Sequence, residues 1–261
     1  MSELFGEGAK HIQKSNVMKD EFGWEIPVEM VPIPSRGLLY SPDSVLYKKD
    51  AVMIKAMTAK EEDILTSQGL LKEGTVISHL LQSCITEDNI DVDDMIIGDR
   101  NAILTAIRIT GYGPDYNIKS SCSNCAKTND LTIDLGALPI KRLSIEPVEQ
   151  GRNLFEFDLP VTKKKVLFRY PTYRQGKQSE QKRINMRKHF KSPVDDVITS
   201  SLELSIHSID NITDRNKIHH FIMNMPANDS RMLRGFMNDN QPGMDMDHEF
   251  TCEHCSYENK I

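Results

Sequence analysis

Four of the five cysteines of this 261-residue chain lie in two CxxC pairs that are far apart in the sequence. Cys122 and Cys125 belong to the mid-chain run SCSNCAKTND, and Cys252 and Cys255 belong to TCEHCSYENKI at the end. Two thiolates about one turn apart can face one cation, and two such pairs complete the tetrahedral shell of a structural zinc site. The pairs therefore predict one Zn²⁺ per chain. They also predict that the segment containing Cys252 and Cys255 lies next to the middle of the chain in the fold.

The predicted shell has no open position, because four thiolates complete it, so a zinc ion held there would be structural and not catalytic. A redox dithiol is one alternative, but it needs a CxxC pair at a helix start within a βαβ unit, and neither pair has that setting. His254, between Cys252 and Cys255, offers a second alternative in which its imidazole replaces one thiolate.

The spacing of the pairs predicts an insertion, because 126 residues lie between Cys125 and Cys252 and a metal would close this segment at its base. We expect an α+β fold with an N-terminal helical subdomain, a split Cys₄ zinc ribbon, and an inserted β-hairpin plus helical subdomain. The expected boundaries are an extended arm over residues 1–30, a mainly helical domain over 31–117, the ribbon over 118–143 and 245–261, and the inserted domain over 144–244.

The first helix of the N-terminal part has clear start and stop signals. A short strand, Ala51–Ile54, precedes Thr58 and Glu61, whose spacing fits a capping box in which each side chain satisfies an unpaired backbone amide. We expect the helix to begin there and to stop at Gly69.

Two further helices are predicted before the first CxxC pair. An apolar stripe at helical spacing from Val76 to Ile85 marks one of them, and Cys84 on this stripe is interpreted as a buried core thiol. Asp99 is expected to cap the other, which ends near Gly111–Pro114.

Two segments without a regular pattern flank these helices. Val31–Tyr40, the run VPIPSRGLLY, contains two prolines and a glycine, which predicts a loop or edge segment that packs through its last three residues. Glu87–Asp99 is rich in acidic residues, but their order does not match a calcium-binding loop, so we interpret it as a solvated acidic loop.

The inserted segment begins with two alternating apolar runs, Phe155–Leu159 and Val166–Tyr170. They predict a β-hairpin with its tip near residues 160–165. The dipeptide Ser192-Pro193 then predicts a helix start, and two further apolar stripes predict more helices before the second CxxC pair.

Residues 173–191 concentrate basic side chains in a chain whose formal net charge is −6. Such a cluster is typical of an anion-binding face, for nucleic acid or for an acidic protein neighbour, and a solvated helix face is the third interpretation. Few aromatic residues interleave it, which disfavours base stacking. The candidate partner-binding residues are Arg174, Lys177, Lys182, Arg183, Arg187, Lys188 and Lys191.

Composition and motifs narrow the functional classes. No apolar run is long enough for a membrane span, and the first fourteen residues lack the pattern of a secretory signal. We therefore expect a reducing cytoplasm, where CxxC pairs favour metal over a disulfide. No phosphate-binding glycine loop, nucleophile elbow or HExxH motif appears, so nothing in the sequence argues for an enzyme.

Several short motifs occur in an order that resembles a known family. Before the first CxxC pair, the chain shows in turn Pro34–Tyr40, Met57–Glu62, Ile64-Leu65, Asp93-Asp94 with Gly98-Asp99, Arg108, and Tyr112-Gly113 with Tyr116. Together with the closing CxxC pair, this order is similar to the baseplate hub proteins of T-even-like contractile-tailed bacteriophages, described as hub subunits or hub-assembly factors. The resemblance covers Val31–Leu143 and the terminal pair.

The resemblance implies a protein of the virion tail baseplate, or of the host cytoplasm during assembly. Such a protein would work by contacts with other tail proteins in a hetero-oligomeric assembly, not by catalysis, and no catalytic residues carry over. From the residues alone, the alternative is a zinc-ribbon accessory protein that binds nucleic acid through residues 173–191.

Overall fold

The structure is a computed structural model that describes residues 16–19, 23, 25–190 and 196–261, and the side chains of residues 16–19, 25 and 187–190 are outside the description. This part of the chain has an α+β fold in which eight α-helices accompany five small antiparallel sheets. The fold class predicted from the sequence is confirmed.

The first sheet contains three antiparallel strands, β1 (Asn16–Lys19), β2 (Glu25–Pro32) and β3 (Ala51–Lys55), with β2 in the middle. Val52 and Ile54 of β3 are fully buried and alternate with half-buried neighbours. Within the predicted arm, residues 16–19 and 25–30 are therefore parts of strands of this sheet, while residues 1–15, 20–22 and 24 lie outside the description.

The segment that follows β2 forms a series of tight turns and packs on the core, as its composition predicts. Leu39 and Tyr40 are buried there. Gly37 has a φ of 67°, and a Cβ at this position would lie 2.2 Å from the carbonyl oxygen of Leu46. Only glycine fits both the left-handed backbone and this close approach.

Four helices follow, α1 (Ala59–Thr66), α2 (Gln68–Glu73), α3 (Val76–Cys84) and α4 (Ile97–Tyr112). The predicted stop at Gly69 is wrong. The first helix ends two residues earlier because Ser67 adopts an extended conformation, and Gly69 lies inside α2. The glycine that ends a helix is Gly74, whose φ of 65° places it in the left-handed region typical of C-terminal caps.

The predicted capping box forms at the start of α1 and extends into a buried network. Glu61 is fully buried, and its carboxylate accepts hydrogen bonds from the Thr58 backbone N–H (2.9 Å), the Ser83 hydroxyl (2.6 Å) and the Lys55 ammonium (3.0 Å). Burial raises the pKa of Glu61, but these donors outweigh burial and lower it from 4.5 to about 2. The carboxylate therefore joins β3, α1 and α3.

Asp99 does not cap α4 as predicted, because the helix already begins at Ile97. Its carboxylate is fully buried and accepts hydrogen bonds from the Ser35 backbone N–H (2.8 Å), the Ser35 hydroxyl (2.5 Å) and the Tyr40 hydroxyl (2.7 Å). Burial raises the pKa of Asp99 despite these donors. Asp99 thus fixes the turn segment before β3 onto α4.

A long hairpin follows, made of β4 (Asp115–Ser121) and β5 (Thr128–Asp134). Strand β5 contains the predicted strand LTIDL, and the register pairs Ser121 with Thr128 next to the turn. A short 3₁₀ turn, Leu135–Ala137, then leads into the two-residue strand β6 (Ile140–Lys141).

The inserted segment begins with the predicted hairpin, β7 (Phe155–Asp158) and β8 (Lys165–Phe168). The elements after it are α5 (Tyr173–Phe190), α6 (Val197–Ser205), β9 (Ile206–Ile209), α7 (Arg215–Met223) and α8 (Ala227–Asn240). Strand β9 adds a third strand beside β8 that the sequence analysis did not predict. The predicted helix start at Ser192-Pro193 lies outside the described residues.

None of the helices in the described ranges combines the length and the apolar character that crossing a membrane requires.

The chain returns to its middle through three short strands, β10 (Gly243–Met244), β11 (Glu249–Thr251) and β12 (Glu258–Lys260). Strand β10 pairs with β6 and lies against α4. The contact is so close that a Cβ on Gly98 would lie 1.9 Å from the carbonyl oxygen of Pro242. A backbone junction without any cysteine therefore closes the base of the insertion.

One continuous apolar core joins the two halves of the molecule. It contains residues between Val31 and Ile107 together with residues between Phe155 and Met237. Phe155, Phe168 and Tyr170 are packed at its centre with ring centroids 5.3 to 5.7 Å apart. The core thus runs across the boundary predicted at residue 144.

Candidate metal centre

The two CxxC pairs lie in the turns of two hairpins. Cys122 and Cys125 connect β4 to β5, and Cys252 and Cys255 connect β11 to β12. We call the two hairpins, residues 115–134 and 249–260, the ribbon unit. The remainder of the described chain, which contains the apolar core, is the body.

The two turns have the same backbone geometry. In the first, the N–H of Cys122 donates to the carbonyl of Lys127, and the N–H of Ala126 donates to the carbonyl of Cys122, both at 2.9 Å. Cys252, Tyr257 and Ser256 repeat this pattern in the second turn, also at 2.9 Å. Ala126 and Ser256 are in the left-handed region, with φ of 59° and 55°. The turns are therefore two copies of one local structure.

This repetition brings the four thiols together. The Sγ atoms of Cys122 and Cys255 are 3.7 Å apart, as are those of Cys125 and Cys252, and all four lie within 4.8 Å of one another. A tetrahedron with zinc–sulfur bonds of about 2.3 Å has edges of about 3.8 Å. The four residues could therefore hold a metal ion, and no other such group occurs among the described residues.

Backbone and amide donors point at the sulfurs. The N–H groups of Asn124 and His254 lie 3.4 Å from the Sγ atoms of Cys122 and Cys252, and the Asn259 side-chain amide lies 3.5 Å from Cys122 Sγ. Such donors stabilise thiolates, which are the form that binds metal. His254 enters the site through its backbone, and its imidazole is not part of the ligand group.

The thiol pKa values reflect these donors. The backbone N–H of Cys125 is the main cause that lowers the pKa of Cys122 to about 6, with further help from Asn124 and Asn259 against burial. Burial raises the pKa of Cys252, but the N–H groups of His254 and Cys255 outweigh it, so the pKa is lowered. The N–H of Lys127 lowers the pKa of Cys125, but burial and the neighbouring thiols together raise it to about 11.

Two asparagines connect the hairpins reciprocally. Asn259, on the second hairpin, accepts a hydrogen bond from the Ser123 backbone N–H at 2.9 Å. Asn129, on the first, accepts one from the Glu253 backbone N–H at 3.0 Å. Neither asparagine was assigned a role from the sequence. The sequence does contain a signal for a shared role of the two asparagines, because each follows the first cysteine of its pair by the same number of residues.

The ribbon unit contains almost no apolar core of its own. The buried residues of 115–134 and 245–261 are Cys122, Asn129, Phe250, Cys252 and Asn259. Only Phe250 among them is a large apolar side chain, and an isolated two-stranded hairpin is marginally stable in water. What holds the two hairpins together is therefore the cysteine cluster and its hydrogen bonds.

The basic segment predicted as a partner-binding face forms helix α5, and part of it makes contacts within the chain. Arg174 forms ion pairs with Asp91 and Asp94 of the acidic loop, at 2.5 and 2.6 Å. The Lys177 ammonium donates to the Gly74 carbonyl at 3.2 Å.

Further along α5, Arg183 pairs with Glu180 at 2.7 Å and Lys182 is exposed. Arg187 and Lys188 lie in the helix, but their side chains are outside the description, and Lys191 lies outside the described residues. The start of α5 is thus bound to the body, and Lys182 is an exposed cation in the later part of the helix that the structure describes.

Comparison with known proteins gives one match. The family model described as "T4 bacteriophage base plate protein" matches residues 41–261, more than four fifths of the chain, including both CxxC pairs and helix α5. No curated protein and no solved structure matches the chain.

Proposed function

Because the chain belongs to the T4 bacteriophage base plate protein family, we propose that it is a non-enzymatic structural or assembly protein of the baseplate hub, stabilised by one structural Zn²⁺. It acts through contacts with other tail proteins, in the virion tail or during assembly in the host cytoplasm. Membership of the family supports the baseplate part of this proposal. The hub assignment rests on the sequence resemblance over Val31–Leu143.

The observation that carries the zinc assignment is the cysteine cluster itself. Four sulfurs at tetrahedral spacing, with N–H donors directed at them, suit a soft divalent ion. Four thiolates leave no open coordination position, so the ion would support the ribbon unit and would not activate water. When bound, zinc supplies attraction between the two hairpins, while Cys122, Cys125, Cys252 and Cys255 fix their relative orientation.

Elemental analysis of protein purified under reducing conditions tests the metal. We expect one zinc per chain. Cys255→Ser should lose zinc because it removes a ligand near the surface, whereas Cys84→Ser, which changes the buried thiol in the body, should keep it. Protein without metal, or protein with the visible absorption of an iron–thiolate centre, would contradict the zinc assignment.

Mass spectrometry tests the place of the protein in assembly. Purified virions are compared with complexes captured on this chain from infected-cell lysate. Presence in virions supports a permanent hub part, and presence only with tail proteins in lysate supports an assembly factor. Absence from both would refute the proposed function, whatever the metal content.

A further inference from the structure

A cleft of about 520 Å³ lies where the turn segment after β2, the loop before β7 and the start of α5 meet. Leu39, Ile96 and Leu154 form apolar parts of its wall, and Arg169 and His207 form a polar part. The cleft therefore combines apolar surface with the nitrogen groups of two basic side chains, and none of the four clustered cysteines lines it.

The Arg169 guanidinium is the unusual group in this cleft. Its Nε is buried and has no hydrogen-bond partner, and no carboxylate of the described residues lies within ion-pair distance of it. Burial and the charge of Arg215 lower the pKa of Arg169. A partly buried cation is ordinarily paired, because desolvation without a partner costs free energy.

Neighbouring groups add to the positive potential and do not neutralise it. Arg215 donates to the Ile206 carbonyl at 2.7 Å, which fixes a second guanidinium nearby. Burial is the main cause that lowers the pKa of His207, and the charges of Arg169 and Arg215 act in the same direction. The three side chains leave this wall of the cleft positive or neutral.

The other charges at the cleft are already paired. Asp94 lies in its lining but forms an ion pair with Arg174 at 2.6 Å. Arg152 also lines it and pairs with Glu149 at 3.0 Å on the surface. One unpaired guanidinium beside an apolar wall fits a single carboxylate with apolar neighbours better than it fits a nucleic-acid backbone, whose repeated phosphates need several unpaired cations.

We propose that this cleft is a docking site for a carboxylate-bearing segment of another tail protein, with Arg169 as the group that binds the carboxylate. The tail-protein identity of the partner rests on the proposed function. The terminal nitrogens of the planar guanidinium can donate two parallel hydrogen bonds to a carboxylate, which adds directional specificity. Leu154, which is half-buried, then contacts an apolar residue beside the acid.

Nuclear magnetic resonance titration of the zinc-loaded full chain tests the site. The probes are acetyl-Leu-Glu-Leu-amide, its Leu-Gln-Leu counterpart and inorganic phosphate, and the signal followed is the Nε–H resonance of Arg169. We expect a saturable shift with the Glu peptide and binding at least about tenfold weaker for the Gln peptide, since hydrogen bonds to charged groups carry that much discrimination.

Two variants complete the test. Arg169→Gln should lose the preference for the Glu peptide, whereas Arg231→Gln, a change at an exposed arginine of α8, should keep it. Without peptide, Arg169→Gln should be at least as stable as the wild type, because it removes an unpaired charge.

Equal binding of the Glu and Gln peptides by the wild type would overturn the proposal, as would tighter binding of phosphate at the same resonance or no saturable shift with any probe. These outcomes use the wild-type chain and do not depend on how a variant folds. They are also separable from the proposed function, because the absence of the chain from virions and tail complexes would leave the titration unchanged.

Discussion

Different kinds of interaction stabilise the ribbon unit and the body. The body buries a continuous set of aliphatic and aromatic side chains, and its stability grows with the apolar area removed from water. The ribbon unit buries two cysteines, two asparagines and one phenylalanine, so a few directional hydrogen bonds and, as we propose, a metal ion stabilise it. The difference shows that a cysteine cluster and polar contacts can replace an apolar core where two hairpins are too small to form one.

The two regions also close the insertion in different ways. The cysteine cluster connects the hairpin turns, while the β6–β10 pairing and the contact of Gly98 with Pro242 close the base. The sequence suggested that a metal alone closes this segment. Since the second junction needs no metal, we expect the ribbon unit and the body to unfold independently of each other.

Removal of the metal should have the largest effect and should be confined to the ribbon unit. Structural zinc contributes about 10 kcal/mol or more in small zinc peptides, so chelation should unfold the hairpins while the core stays folded. Amide resonances of Ala126 and Ser256 should collapse to unfolded positions, and those of Ile103 and Ile107 should remain. Concerted loss of both sets would show that the body depends on the metal.

The reverse perturbation is a cavity in the body. Phe168→Ala should reduce the free energy of unfolding by about 3–5 kcal/mol, because Phe168 is fully buried against Phe155 and Tyr170. Denaturant unfolding and zinc analysis on the same sample check this. Zinc should stay at its wild-type level under native conditions, and parallel loss of metal would contradict independent stabilisation of the two regions.

Acid should weaken the body through Glu61. Because the folded-state pKa is lowered from 4.5 to about 2, the stabilisation is complete above pH 4.5 and is lost as the pH falls towards 2. A shift of this size is worth up to about 3 kcal/mol. Glu61→Gln should be less stable at neutral pH and should lose this part of the pH dependence, measured by urea unfolding at a series of pH values.

Glu62→Gln is the matched control for that series, since the neighbouring carboxylate is exposed on the same helix turn. We expect its curve to follow the wild type. If the free energies of unfolding of Glu61→Gln and the wild type changed in parallel with pH, the buried carboxylate would be ruled out as the source of the acid sensitivity.

The smallest effects should come from the asparagines that connect the hairpins. Asn129→Ala and Asn259→Ala each leave a backbone N–H of the opposite turn without its partner, at a cost of about 1–3 kcal/mol. Both changes should also weaken zinc affinity, because the Asn259 amide contacts Cys122 Sγ and the Asn129 side chain helps to lower the pKa of Cys252. Competition with a chromophoric chelator measures both affinities, and an unchanged zinc affinity in either variant would contradict the assigned role of that asparagine.

Sequence reasoning succeeded where structure depends on neighbours in the chain. The four-cysteine cluster could be predicted because each CxxC turn forms locally, and the Thr58–Glu61 capping box and the β7–β8 hairpin follow from short-range spacing. The Gly69 stop failed because α1 ends at Thr66, before the extended Ser67, although the local rule for glycine was sound, as Gly74 shows.

Other features depend on residues far apart in the chain, and only the tertiary structure decided them. Asp99 looks like a helix cap in sequence, yet its partners are Ser35 and Tyr40, which no local spacing identifies. The same is true of the pairing of Arg174 with the acidic loop and of the unpaired Arg169.

The sequence by itself determined the two CxxC turns, the order of most helices and strands, and the absence of any recognised catalytic motif, because composition and short-range spacing control these properties. Tertiary structure decided which polar groups are buried, which charges are neutralised and how the insertion is closed. Burial and Coulomb interactions depend on distance in space, and a chain brings distant residues together only when its core forms.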